Sequence, residues 1–302
     1  MRLQVSNVYK SYDEVKAVNG ISFSIAHGKI MGMIGRNGAG KTTLIKMIMS
    51  IIQPDHGSVS FEYEDDVKTQ IGYLPEERGL YLNMTVKDQL MFLAQLNGLN
   101  KMEALKNIKY YLNELEILKY LNTKIKELSK GNKQKVQLIS SLAHDPKVLI
   151  LDEPFSGLDP VNVSMFKKVI RKCRDNGKLI IMSSHRLEDV EEMCDHVLFL
   201  KKGEVLIQGD VETIKDQYSA GNKALYITSE NIDSYLNEKN IFYKKPRENS
   251  YIVEGNDYDV LLSIGIEMIE NNIELLKFEK VQVTLNDIFI KELDDELEKN
   301  LA

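Results

Sequence analysis

Residues Gly35-Arg36-Asn37-Gly38-Ala39-Gly40-Lys41-Thr42 follow an apolar run, Ile30-Met31-Gly32-Met33-Ile34, and lead into a second apolar stretch from Leu44 to Met49. The spacing GxxxxGK[ST] between a strand and a helix is that of a phosphate-binding loop. Gly35, Gly38 and Gly40 let the backbone take turns that a side chain would block. Successive N–H groups of the loop, those of Asn37 and Ala39 among them, can then face inward around phosphates. The helix beginning near Lys41 adds the positive end of its dipole at the same place. Lys41 is placed to reach the β- and γ-phosphates as a point charge, the Thr42 hydroxyl to hold Mg²⁺, and Thr43 to support a phosphate. An α/β architecture around a nucleotide site is the first expectation.

A second apolar run, 148–151, passes directly into Asp152 and Glu153. Both carboxylates therefore stand at the carboxyl end of a buried strand, the end at which α/β sheets bind ligands. Asp152 is suited to hold Mg²⁺ through water, and Glu153 to polarise a water for attack on a γ-phosphate.

The chain has 302 residues and is 43% hydrophobic, long enough for two domains and ordinary in composition. Two cysteines, Cys173 and Cys194, cannot make a disulfide framework and read as buried thiols of a reducing, cytoplasmic compartment. The first residues, MRLQVSNVYK, carry no apolar signal core, and no apolar run approaches the ~18 residues that span a bilayer. Membrane association is thus expected only through a partner. Residues 220–302 hold 9 basic against 17 acidic side chains, leaving 30 against 28 over 1–219. No basic stripe is available to replace phosphate counterions, so no nucleic-acid partner is expected.

Alternation at Leu3, Val5 and Val8 and at Ile21, Phe23 and Ile25 predicts strands ahead of the loop, and another short strand follows over 58–63. From 85 to about 121 the period becomes helical, with apolar residues at Leu90, Leu93, Ala94 and Leu96, then Leu105, Ile108, Leu112, Leu115 and Leu118. Strand and helix alternate again over 148–200, which implies parallel strands with crossover helices. The polar stretch 218–223, YSAGNK, marks the expected domain boundary. Beyond it the predicted order is strand 224–228, helix 232–238, strands 241–244 and 251–254, helix 257–270, strand 273–283 and a closing helix 285–298. Without that last helix this is the βαββαβ order of a ferredoxin-like α+β unit.

Taken with Leu128-Ser129-Lys130-Gly131-Asn132, about twenty residues ahead of the Asp152 strand, these motifs resemble the ATP-binding subunits of ABC transporters. Tyr12, G-R-N-G-A-G-K-T, Y-L-P-E (73–76), L-S-K-G-N, V-L-I-L-D-E-P, S-G-L-D (156–159) and S-S-H (183–185) occur in the family's order. The resemblance spans 1 to about 215. It implies a P-loop NTPase core over 1–219 with a helical signature subdomain at about 76–143, followed by an accessory domain over 220–302. It also implies ATP and Mg²⁺ as cofactors, ATP hydrolysis, a second copy of the chain completing an ATP sandwich, and a separate transmembrane permease. The chain would then sit at the cytoplasmic face of the membrane, peripheral through that permease.

The resemblance assigns further roles. Tyr12 matches the aromatic that stacks on adenine; as a lone tyrosine it equally reads as a half-buried strand-end residue. Glu76 stands where most of the family has a glutamine that contacts Mg²⁺ and the attacking water. The carboxylate keeps an oxygen donor but adds negative charge beside the phosphates. Ser129 and Gly131 match the hydroxyl and backbone N–H that meet the γ-phosphate held by the opposite subunit, while Lys130 and Asn132 depart from the commoner L-S-G-G-Q. Lys130 either adds a charge near the nucleotide or points to solvent. His185 matches the histidine that contacts the γ-phosphate and orders water with Glu153. Asp159 matches a residue that communicates across the dimer, and by local pattern it also caps the helix beginning near Pro160. Y-L-P-E-E-R-G-L-Y and D-E-P-F-S-G-L-D-P-V-N resemble the exporter branch of NatA-type sodium-extrusion and drug- or peptide-resistance ATPases. The alternative from another class is a soluble ATP-dependent switch without transport.

Overall fold

Runs of four or five consecutive apolar residues make strands that must be covered on both faces, and Ile30–Ile34, Val148–Asp152 and Leu179–Ser184 are buried along their whole length. The computed structural model describes residues 1–62, 70–77, 79–219, 223–230, 232–255, 258–281 and 283–299. The chain divides into two units, Met1–Val211 and Glu212–Ala302, so the residues just ahead of the boundary expected at 219/220 go with the second unit.

In the first unit the order is β1 (Arg2–Tyr12), β2 (Val15–Ala26), β3 (Ile30–Ile34), α1 (Lys41–Ile48), β4 (His56–Glu62), β5 (Ile71–Leu74), α2 (Val86–Leu96), α3 (Lys101–Glu114) and α4 (Lys130–Leu142). There follow β6 (Val148–Asp152), α5 (Pro160–Asp175), β7 (Leu179–Ser184), α6 (Leu187–Met193), β8 (His196–Lys201) and β9 (Glu204–Asp210). The main sheet has the order β5-β6-β7-β3-β8-β9, parallel except for its last strand. An antiparallel sheet, β2-β1-β4, lies beside it. Leu3, Val5, Ile21 and Ile25 of that sheet share one apolar core with Leu44, Ile45 and Ile48 of α1 and with Val148, Ile150 and Leu198 of the main sheet.

The helical stretch predicted from 85 appears as α2 and α3, joined through Asn97–Asn100, with Asn100 capping α3 by accepting the Met102 and Glu103 N–H groups at 3.0 Å. Three elements were not anticipated: β5, whose four residues are too few to show a period; β9; and the helix α7 (Val211–Ser219). The last residue of the strand expected over 58–63, Tyr63, lies outside the described residues, as do 220–222 of the expected boundary.

The second unit continues with β10 (Lys223–Thr228), α8 (Asp233–Glu238), β11 (Tyr243–Arg247), β12 (Ser250–Gly255), α9 (Tyr258–Glu270), β13 (Lys277–Lys280) and α10 (Leu285–Lys299). Its sheet is antiparallel throughout with the order β11-β12-β10-β13, the ferredoxin-like arrangement of a βαββαβ chain. Of the strand expected over 273–283, Lys277–Lys280 stand in register with β10 and the Leu276 N–H donates to the Thr228 carbonyl at 2.8 Å, while Gln282 lies outside the described residues. Leu225, Ile227, Leu236, Tyr251, Val253, Leu261 and Met268 give this unit its own core. Cys173 and Cys194 are both buried free thiols, and burial holds the Cys173 thiol up at about 11.

Candidate functional site

Register across the parallel strands brings the motifs to one level. Met33 of β3 pairs with Ser183 of β7, and Ser183 pairs with Asp152 of β6. The loop after Ile34, the turn at Glu153 and His185 thus leave the same edge of the sheet within a residue of one another. Leu74 of β5 pairs with Leu151, so Glu76 emerges beside them. Carboxyl ends of adjacent parallel strands are where such a sheet gathers ligand-binding groups.

At the glycine-rich loop, Gly40 takes φ 103° and caps α1 in the left-handed region. A Cβ there would lie 2.3 Å from the Ala17 carbonyl oxygen of β2, so the close strand leaves room for glycine alone. Lys41 is buried, and its ammonium donates to the Gly35 carbonyl, which holds the charge over the loop. The first intrahelical bond runs from Leu44 N to Gly40 O at 2.9 Å. The N–H groups of Lys41, Thr42 and Thr43, in the helix's first turn, have no carbonyl a turn below to bond and suit an anion. Ala39 differs from the expectation: its N–H donates to the Arg36 carbonyl at 3.0 Å, closing the loop's own turn, and its side chain is buried.

Asp152 and Glu153 are held by one hydroxyl. Ser183 Oγ donates to Asp152 Oδ1 at 2.5 Å and accepts the Glu153 N–H at 2.9 Å. Asp152 also accepts from the Tyr73 hydroxyl, and burial together with that carboxylate pushes the Tyr73 phenol up to about 12. Glu153 has φ 51°, a strained conformation for a residue with a side chain. It turns the carboxylate toward His185, whose Nδ1 lies 2.8 Å from Glu153 Oε2. Burial raises the Glu153 pKa above its ordinary value, with His185 and Lys41 opposing the rise and Asp152 adding to it. Lys41, Glu153 and His185 therefore form one electrostatic group.

Glu76 is exposed, and with Asp152 and Glu153 it lines a cavity of about 350 Å³. The opposite wall is one stripe of α4, Lys130, Gln134 and Gln137, spaced four and three residues apart. Lys130 is exposed and also lines this cavity, with its Nζ 3.3 Å from the position of a Cβ on Gly157. Ser129 and Gly131 are not among the lining residues. Ser129 caps α4 by accepting the Asn132 N–H at 3.3 Å, and a Cβ on Gly131 would stand 3.1 Å from Asn162 Nδ2. Asp159 caps α5 by accepting the Asn162 N–H at 3.0 Å, and that bond lowers its pKa. Tyr12 ends β1, paired with Val15 two residues from Ala17; the residue is 47% exposed and Lys10 Nζ lies 5.9 Å from its ring centroid.

Ser183, Tyr73, Gln134 and Gln137 escaped the sequence reading. The first two lie inside motifs read for their neighbours, S-S-H and Y-L-P-E. Gln137 contacts residues about sixty positions away, to which no local spacing points.

Comparison with known proteins agrees with this geometry. Residues 18–156 match the family model for ABC transporter. The uncharacterized ABC transporter ATP-binding protein YhaQ of Bacillus subtilis is 38% identical over 96% of this chain and 98% of its own length. The bacitracin transport ATP-binding protein BcrA of Bacillus licheniformis is 28% identical over 96% of both chains. Among solved structures, the ATP-binding subunit of an ABC transporter superposes with a TM-score of 0.67 at 29% identity, covering 72% of this chain and 94% of that one. With the nucleotide loop, the Asp152–Glu153 turn and His185 gathered on one sheet edge, the chain belongs to the ATP-hydrolysing, ATP-binding proteins of the ABC transporter family.

Proposed function

We propose that this chain powers export through a separate membrane permease, by closing as an ATP-bound pair with a second copy of itself and reopening after hydrolysis. The observation that carries the catalytic part is the 2.8 Å contact between Glu153 and His185 at the sheet edge that also carries Lys41. Held at Nδ1 against the Glu153 carboxylate, the imidazole is oriented with Nε2 turned away from it, toward the place of the γ-phosphate. The raised pKa makes Glu153 a better base. Its carboxylate takes the proton of a water as the water oxygen bonds to the γ-phosphorus and the bond to ADP breaks. Lys41 neutralises charge on the phosphates, Tyr12 stacks on the adenine, and the N–H groups of the loop and of the first turn of α1, Ala39 excepted, hold the phosphate chain.

Thr42, Asp152 and Glu76 offer only hydroxyl and carboxylate oxygens, the donor set that Mg²⁺ prefers. Ser183 and Tyr73 already occupy acceptor sites on Asp152, which suits contact with the ion through water. Among the described residues no group of three or more His, Cys, Asp or Glu side chains is arranged to hold a metal. A bound ion would draw its remaining ligands from phosphate oxygens and water. When bound, Mg²⁺ supplies charge neutralisation on the phosphates.

Ser129 and Gly131 serve the second copy's nucleotide, with Asp159 beside that interface. Among the described residues no helix is long and apolar enough to cross a membrane, so location at the cytoplasmic face comes through the permease. Export is the direction favoured by the exporter-type motifs and by BcrA, which is named for bacitracin transport. The test is Glu153→Gln in the full chain: ATP is expected to hold it as a dimer on size exclusion, and a monomer at saturating ATP sinks the paired mechanism. Co-purification of a multi-spanning membrane protein tests the permease.

A further inference from the structure

The cavity beside Asp152 and Glu153 contains a side chain that the catalytic reading does not use. Gln137 is buried, and its Nε2 donates to two backbone carbonyls, Pro75 O at 3.0 Å and Glu77 O at 3.1 Å. These carbonyls bracket Glu76. Two acceptors on one terminal atom fix that atom as the amide nitrogen, because the amide oxygen could not face them, and both of its hydrogens are used. One turn further along α4, a Cβ on Gly72 would lie 2.0 Å from the Ser141 carbonyl, so the helix backbone presses on β5 itself. A single face of α4 therefore grips β5 and, through Gln137, the loop leaving it. The same helix begins at the Ser129 cap. Three residues before Gln137, Gln134 Nε2 donates to Ser156 O at 2.7 Å, holding the loop after Glu153.

We propose that Gln137 is a positioning residue that locks the backbone on both sides of Glu76 to the signature helix, so that the Glu76 carboxylate and the Ser129 end of α4 move as one body. Engagement of the signature by a nucleotide on the second copy then sets the placement of the carboxylate in this copy's own site. The inference rests on the reading of Glu76 as an Mg²⁺ ligand; the tether itself does not. A hydrogen-bonded partner that fixes a ligand's backbone acts on metal affinity without touching the metal.

The experiment uses the full-length chain with nitroxides at Glu77→Cys and Lys133→Cys, read by dipolar EPR without nucleotide or metal. Cys173 and Cys194 are buried and stay unlabelled. With Gln137 present the distance distribution is expected to be narrow. Gln137→Met, close in shape but without donors, should broaden it, while a control pair at Lys133→Cys and Ser156→Cys, held by Gln134, stays narrow. Gln137→Glu should broaden the first pair as much near neutral pH, because a carboxylate repels both carbonyls, and narrow it as acid returns a donor proton. In ATPase assays Gln137→Met should raise the Mg²⁺ concentration for half-maximal rate by about tenfold, with the ATP KM little changed.

An unchanged first distribution in Gln137→Met, or equal broadening of the control pair, overturns the tether. Broadening with an unmoved Mg²⁺ midpoint overturns its link to the ion. Failure of the Glu76 reading shows separately, as an Mg²⁺ midpoint unmoved in Glu76→Ala with Gln137 intact, and the EPR distances still decide the tether.

Discussion

The Ser183 hydroxyl lies 2.5 Å from Asp152 Oδ1 and is fully buried. Because the same oxygen accepts the Glu153 N–H at 2.9 Å, one side chain from β7 fixes Asp152, which ends β6, and the backbone of Glu153, which follows it. Ser183→Ala leaves a buried carboxylate and a backbone N–H each short of a partner. A bond to a charged group contributes about 2 kcal/mol, so the variant is expected to lose about that much in denaturant unfolding. Its kcat should fall further than its affinity for ATP, since Glu153 loses the anchor of its strained turn. Ser183→Thr keeps the hydroxyl, and a kcat as low as that of the alanine variant would count against this role.

Glu153 makes the site pH-sensitive in a definite direction. Burial raises its carboxyl above the ordinary 4.5. A carboxyl with a raised folded pKa keeps its proton longer in the native chain than in the unfolded one. Its cost to stability is thus absent below 4.5 and complete once the pH exceeds the raised folded value. Glu153→Gln removes that cost, so it should melt above wild type near neutral pH, with the difference closing as pH falls through the carboxylate range. The acid limb of the wild-type kcat profile should lie above that of an unperturbed glutamate. Equal melting at all pH values would contradict the burial argument.

The loop glycines differ in what they tolerate. Gly38 has φ 82° and nothing within 4 Å of an added Cβ, whereas a Cβ on Gly40 would meet the Ala17 carbonyl at 2.3 Å. Gly38→Ala is expected to cost about 1–2 kcal/mol of left-handed strain and to leave a folded loop with weakened ATP binding. Gly40→Ala adds a backbone collision that must push β2 or the start of α1 aside, and should abolish ATP binding. Calorimetric titration with ATP separates the two, and equal affinities would show that the loop relaxes freely.

Legibility in the sequence followed the range of each interaction. Glu153 and His185 could be placed because each follows an apolar strand, and Lys41 because the glycine loop that it closes follows one; parallel register carries strand ends to one level. Asp159 was read as a helix cap because its partner, Asn162, is three residues away. Gln137 was not legible: a glutamine on a helix reads as solvent-facing, and its bonds to Pro75 and Glu77 cross from one subdomain element to another. Tyr73 was hidden because its hydroxyl meets Asp152 only when β5 and β6 pair. β9 was missed because it joins the sheet antiparallel to β8, as an edge with no helix to announce it.

The second unit offers a test that leaves the nucleotide site alone. Asp233, at the start of α8, accepts from Tyr251 Oη at 2.7 Å, Tyr243 Oη at 3.0 Å and Lys245 Nζ at 2.7 Å, tying the helix to β11 and β12. These partners, Lys245 foremost, hold its carboxyl down at about 2, against an ordinary 3.8. With the folded pKa depressed, the stabilisation is complete above 3.8 and is lost as pH falls through about 2. Asp233→Asn keeps the shape but cannot ionise, so it should destabilise the unit near neutral pH and flatten its loss of stability in acid. ATP binding should be unchanged, because the unit has its own core. Far-ultraviolet circular dichroism against pH checks the first expectation, and ATP titration at neutral pH the second. An acid transition as steep in the variant as in wild type would show that other carboxylates carry it.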